Sequence, residues 1–215
     1  MRRFFVSAAF LALVGALSVH ASTIAYSDPA GQGSQDWGGN LGLNFDVISP
    51  IYVTALGVFD ASGVGVITGP IQVVIYNAAG SQLTPVETFQ GSYTPVGFDV
   101  FQTITPVFLG PGSYQVDAVG FSRSDQNGNL NTGSSTGPVL NTGGGLLSFT
   151  GAGWDSSTVL DHPSTCATCQ AMPAQERQFD AGTFQFTGVP EPATFALFGC
   201  GFLGLAAILR RRRVR

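Results

Sequence analysis

The chain has 215 residues, no lysine, nine arginines and thirteen acidic residues. Seven of the arginines fall near the two ends, so residues 22–188 hold two arginines against twelve acids, a formal charge of −10. A body so poor in cations cannot neutralise phosphates, which excludes nucleic-acid binding; its acidity suits a soluble surface outside the cell and attracts divalent cations only weakly.

In chain order, Arg2 and Arg3 precede an apolar run from Phe4 to Val19, and Val19-His20-Ala21 has the small-residue form of a signal-peptidase site. Residues 1–21 are therefore expected to be a secretory signal peptide, too short and too weakly flanked to remain as a membrane span. Residues 22–188 make one domain, long enough for a real core. Leu41, Leu43, Phe45 and Val47 alternate with small or polar residues, the signature of a half-buried strand. Ile51 to Phe59, Ile71 to Tyr76, Phe98 to Leu109, Tyr114 to Phe121, Leu146 to Thr150 and Gly182 to Thr187 read as further strands. Turn clusters such as Asn77-Ala78-Ala79-Gly80 and Gly110-Pro111-Gly112 separate them. No apolar stripe of helical spacing persists for three turns. The predicted class is all-β, an antiparallel β-sandwich of jelly-roll-like form.

Arg123 to Gly145 is rich in Ser, Asn, Thr and Gly and reads as a long loop, either a binding loop or a solvated connection. Asp125, Asn127 and Asn129 alternate as at the start of a calcium loop, but Leu130 replaces the required glycine and Thr136 the closing glutamate. Turn chemistry explains these residues more simply, and no metal site or cofactor is expected. Cys166-Ala167-Thr168-Cys169 is the only cysteine pair in the body. Zinc would have to draw on His162 and carboxylates such as Asp161, and a redox role lacks its helical context, so a local disulfide is expected. No nucleophile elbow accompanies His162, and the twelve acids show no pairing, so no catalytic residue is assigned. Asp28, Asp36, Asp46, Asp60, Asp99 and Asp117 are expected at solvated strand ends or turns. Trp37, Trp154, Tyr93 and Tyr52 are candidate platforms for stacking a sugar, against the alternative of core packing.

At the C-terminal end, Val189, Pro190, Glu191 and Pro192 lead into Ala193 to Leu209, 17 residues without charge, followed by Arg210, Arg211, Arg212 and Arg213. At about 1.5 Å per residue such a helix just crosses a thin hydrocarbon core. Its glycines suit a membrane helix, and the one-sided arginines fix that end in the cytoplasm and the body outside. The prolines hold the entry extended and open to a protease. Residues 189–215 resemble the PEP-CTERM sorting signal in order, spacing and distance from the end. That resemblance implies an exported protein of a Gram-negative bacterium, held for a time in the inner membrane and cut near the triplet by an exosortase.

The body carries a second resemblance. Trp37-Gly38-Gly39-Asn40-Leu41-Gly42, Phe45-Asp46-Val47, the run from Ile51 to Asp60, Leu109 to Tyr114, Asn127-Gly128-Asn129 and Ala181 to Phe186 are similar to a recurrent module of PEP-CTERM exported proteins. The module implies a sandwich and transfers no active site; residues 162–176 fall outside its pattern. The reading that follows is a non-enzymatic protein with a structural or adhesive role in the exopolysaccharide layer of a biofilm matrix. The alternative is a carbohydrate-binding module with a defined glycan ligand.

Overall fold

Leu41, Leu43, Phe45 and Val47 form the buried face of a strand, β3 (Leu41–Val47), in the computed structural model. The structure describes residues 22–29, 31, 33–130, 138–163 and 179–189, all within a unit spanning Ala21–Val189. The predicted signal peptide, Cys166 and Cys169 with the disulfide expected between them, and the prolines, apolar span and arginines beyond Val189 lie outside the described residues. Among the described residues there is no α-helix, and no helix is long and apolar enough to cross a membrane.

Two short strands, β1 (Thr23–Ile24) and β2 (Tyr26–Ser27), precede β3. After it come β4 (Ile51–Phe59), β5 (Val66–Asn77), β6 (Glu87–Ser92), β7 (Asp99–Leu109) and β8 (Gly112–Val119). The chain continues through β9 (Gly128–Asn129), β10 (Val139–Leu140), β11 (Leu147–Trp154), β12 (Phe179–Asp180) and β13 (Gly182–Gly188). A four-stranded sheet runs β1-β13-β4-β7 and a five-stranded sheet β11-β3-β8-β5-β6; two small ribbons pair β10 with β2 and β12 with β9. Every pairing among these strands is antiparallel, the arrangement that suits strands with one face on the core.

The two larger sheets share one core. Phe45 of β3 meets Phe184 of β13 with ring centroids 4.7 Å apart, and Ile51, Val53, Leu56 and Val58 of β4 join Val116 and Ala118 of β8 in the same cluster. Each large side chain buried there contributes about 1.5–3 kcal/mol by leaving water.

The structure corrects the sequence reading in places. β5 begins at Val66, before the continuous apolar run, because its pairing with β6 shifts between Ile67 and Ile71, where Gly69 and Pro70 lie. A proline is tolerated at such an irregularity. The stretch from Arg123 to Gly145 is not structureless: it contains β9 and β10, and Asp125, Asn127 and Asn129 are buried. The expectation of solvated aspartates fits exposed Asp36 and half-buried Asp46, whereas Asp28, Asp60, Asp99 and Asp117 are buried. Asp117 lies within β8, on the side opposite the core residues Val116 and Ala118, where a crossing segment covers it.

Candidate functional site

Residues 155–163 form a strap over the outer face of the five-stranded sheet, and Asn40 is its anchor. The amide nitrogen of Asn40 lies 2.9 Å from Asp155 Oδ1, 3.1 Å from the Ser157 carbonyl and 2.9 Å from the Val159 carbonyl; its oxygen accepts from the Asp161 N–H at 3.1 Å. Two amide hydrogens serve three acceptors, so one is shared. Gly39 lets the strap come close: a Cβ there would collide with the Asp155 carbonyl oxygen and the Trp37 ring. Trp37 donates its indole N–H to that same carbonyl at 3.0 Å and meets Trp154 edge-on at 5.3 Å. The Trp-Gly-Gly-Asn run is thus a strap-holding device.

Beneath the strap, Gln115 donates to Asn44 Oδ1 at 2.7 Å and to the Pro163 carbonyl at 3.1 Å. Asp117 has its pKa pushed well above the usual carboxylate range by burial first, then by the negative charge of Asp155 and of Asp161. The backbone amides of Ala118 and Leu41 offset part of this without making hydrogen bonds of good geometry, so both carboxylate oxygens stay without a partner. Burial, then Asp117 and Asp161, push the Tyr76 phenol up to about 12. His162 stands edge-on to Tyr76 at 5.6 Å. Beside it lies a cleft of about 330 Å³ lined by Asn44, Asp46, Ser113, Gln115, Thr150 and His162, with Tyr114 and Ala78. That volume falls at the small end of ligand sites.

The four candidate aromatic platforms separate. Trp154 is 44% exposed at the end of β11; Trp37 is half-buried against the core. Tyr52 pairs across strands with exposed Phe108 at 5.6 Å on the four-stranded sheet, and Tyr93 packs on Phe89 at 5.5 Å. None of the four lines the cleft. Its polar lining comes from outward positions of β3, β8 and β11, which in sequence look like ordinary solvent-facing residues.

Asp125, Asn127 and Asn129 are structural. Asp125 accepts the Thr68 and Gly69 N–H groups at 2.8 and 2.9 Å, holding the irregular start of β5. Asn127 and Asn129 both donate to Gln35 Oε1, and Asn127 also receives the Trp37 N–H at 3.2 Å.

At the C-terminal end of the described body, β13 stops at Gly188 and the Val189 N–H donates to the Pro50 carbonyl at 3.1 Å. Residues 188–213 match the family model of the PEP-CTERM protein-sorting motif. Among curated proteins and solved structures, the comparisons found no match to the chain. The motif marks an exported protein that an exosortase recognises, secreted and transiently anchored in the membrane before processing. It begins where the last strand ends.

Proposed function

We propose that residues 22–188 fold as a jelly-roll-like β-sandwich that acts outside the cell as a non-enzymatic structural or adhesive component of the exopolysaccharide layer. In this reading residues 1–21 are the signal peptide and 189–215 the sorting signal, with Ala193 to Leu209 as the transient inner-membrane helix and Arg210–Arg213 as its cytoplasmic stop. The observation that supports it is the junction at Gly188: a cut near Pro190, Glu191 and Pro192 leaves every strand of the body intact. Deleting the gene should weaken matrix cohesion, and the wild-type chain should restore it. A variant lacking 189–215 that restores cohesion equally would argue against a sorted matrix role.

Carbohydrate binding is the second reading. It is favoured by exposed Trp154 and by the amide- and carboxylate-lined cleft around Asn44, Asp46 and Gln115. Binding on a glycan array that is lost in Trp154→Ala or Asn44→Ala would select it over a purely structural role.

A further inference from the structure

The body carries its charge unevenly. Four segments converge where β13 ends: Val47 to Val53, Val107 to Ser113, Asn141 to Leu147 and Phe186 to Val189. Gly188 pairs with Ile51 and Ile51 with Leu109, while Val47 pairs with Gly112 on one side and Leu147 on the other. The Ile48 N–H donates to the Leu146 carbonyl at 2.8 Å, and a Cβ on Gly143 would strike the Phe186 ring. None of the residues in these segments is charged, in a body that holds twelve acids. Asp46, on the outer side of β3, is the nearest acid along the chain.

Other acids gather at the opposite end, roughly 26 Å away along β4. Asp60 follows β4, Asp99 opens β7, and Asp28, Asp99 and Asp180 line one cavity. Asp99 Oδ2 is buried without a hydrogen-bond partner, and burial, then the charges of Asp180, Asp28 and Asp60, push its carboxyl well above the usual range. Trp154 pairs with Leu41 at this far end of β3, with Trp37 against it. At the uncharged end, apolar side chains face outward instead. Ile48 is 56% exposed, Phe108 54% and Tyr52 36%. Tyr52 lies between Phe108 and Thr187 on the four-stranded sheet, its ring 5.6 Å from that of Phe108.

Chain length decides what faces these side chains. The Val189 N–H is held by the Pro50 carbonyl, and Ala193, where the uncharged run begins, is four residues on. Four residues cover at most about 14 Å even when fully extended. The headgroup layer of a bilayer is itself about 5–8 Å deep on each side. This inference rests on the reading of Ala193 to Leu209 as the transient membrane segment. While that segment spans, the end of β13 stands at the headgroups.

We propose that Ile48, Tyr52 and Phe108 rest in the lipid interface of the outer leaflet while the chain is anchored. Aromatic rings with one polar tip suit that depth. An anionic leaflet repels the acidic remainder of the body, so the uncharged end is the one that approaches at least cost. The contact fixes the height of Pro190, Glu191 and Pro192 above the bilayer. It is too small to hold the body alone, since even a whole myristoyl chain gives only marginal, reversible binding. A cut at the triplet therefore frees the body.

The test reconstitutes the full chain in vesicles of phosphatidylethanolamine and phosphatidylglycerol, with or without brominated acyl chains, and reads tryptophan emission. Bromine quenches only rings that reach the lipid. Wild-type emission, from Trp37 and Trp154 alone, should be the same in both lipids. Phe108→Trp should add emission that is lost in brominated lipid; should that variant fail to fold, Tyr52→Trp makes the same measurement. Added emission that bromine leaves untouched would overturn the proposal, and is what docking on a second copy or another protein would give. Quenching of the wild type to the same extent would overturn it too, by placing the opposite end in the lipid. Flotation of the same samples separates the two failures. A chain that floats with the vesicles unquenched sinks the lipid contact alone, whereas a chain left in solution sinks the anchor reading with it.

Discussion

Asn40 and Asp117 are both fully buried on the five-stranded sheet, yet their surroundings differ in kind. Asn40 is matched by strap carbonyls, a carboxylate oxygen and a backbone N–H, whereas Asp117 has neither carboxylate oxygen hydrogen-bonded. A buried polar group that is fully matched fixes structure; one that is not must take a proton or an ion to stay buried. Asp99 belongs with Asp117 in this comparison, and the two kinds should respond to mutation with opposite signs.

The largest effect is expected at the anchor. Asn40→Ala leaves the Ser157 and Val159 carbonyls and the Asp161 N–H without their partner, which should cost about 3 kcal/mol. Thermal melting should then show a drop of roughly 6–12 °C for a chain of this size. An effect under a third of that would mean that the strap is held elsewhere. Gly39→Ala should come next, at about 2 kcal/mol, because backbone has to move to admit the methyl group. Its Trp37–Asp155 hydrogen bond should weaken too, seen as a change in tryptophan fluorescence. Asp117→Asn keeps the shape and removes the charge, so Tm at pH 7 should rise. A loss of stability there would break the comparison.

The same contrast predicts a pH dependence. A carboxyl whose folded pKa lies above its unfolded value binds its proton more tightly in the folded state. Its contribution is complete below the ordinary value of 3.8 and is lost as pH rises through the raised value. Melting temperature should therefore fall as pH rises above the ordinary carboxylate range, and Asp99→Asn with Asp117→Asn should flatten the curve. Rising stability over that interval would contradict the burial of these two acids. Trp154→Ala should matter least for folding, at about 1 kcal/mol or less, since Trp154 is exposed and meets Trp37 edge-on.

The long strands were legible because each buries one face against the core, as Leu41 to Val47 and Ile51 to Phe59 show. β6 left no such trace: Phe89 is its one buried residue, and it lies at the sheet edge, paired only with β5 within that sheet. Two-residue strands such as β9 and β12 are too short for any period to register. Asp117 was misplaced because burial on the outer face depends on a strap from a distant part of the chain. The grouping of Asp28, Asp99 and Asp180 depends on topology in the same way, since no local pattern links three strands that pair with different partners. The sorting motif was legible throughout, because the length of an uncharged run, its flanking arginines and the proline triplet are read along the chain instead of across it.

Intact mass spectrometry of the protein collected outside the cell tests the central claim, that a sorted body is released whole beyond its last strand. The account predicts a chain starting at Ser22 and ending near Pro190 to Pro192, and the same spectrum before and after reduction tests the Cys166–Cys169 bond. A chain that still carries Arg215, or one cut before Gly188, would contradict it.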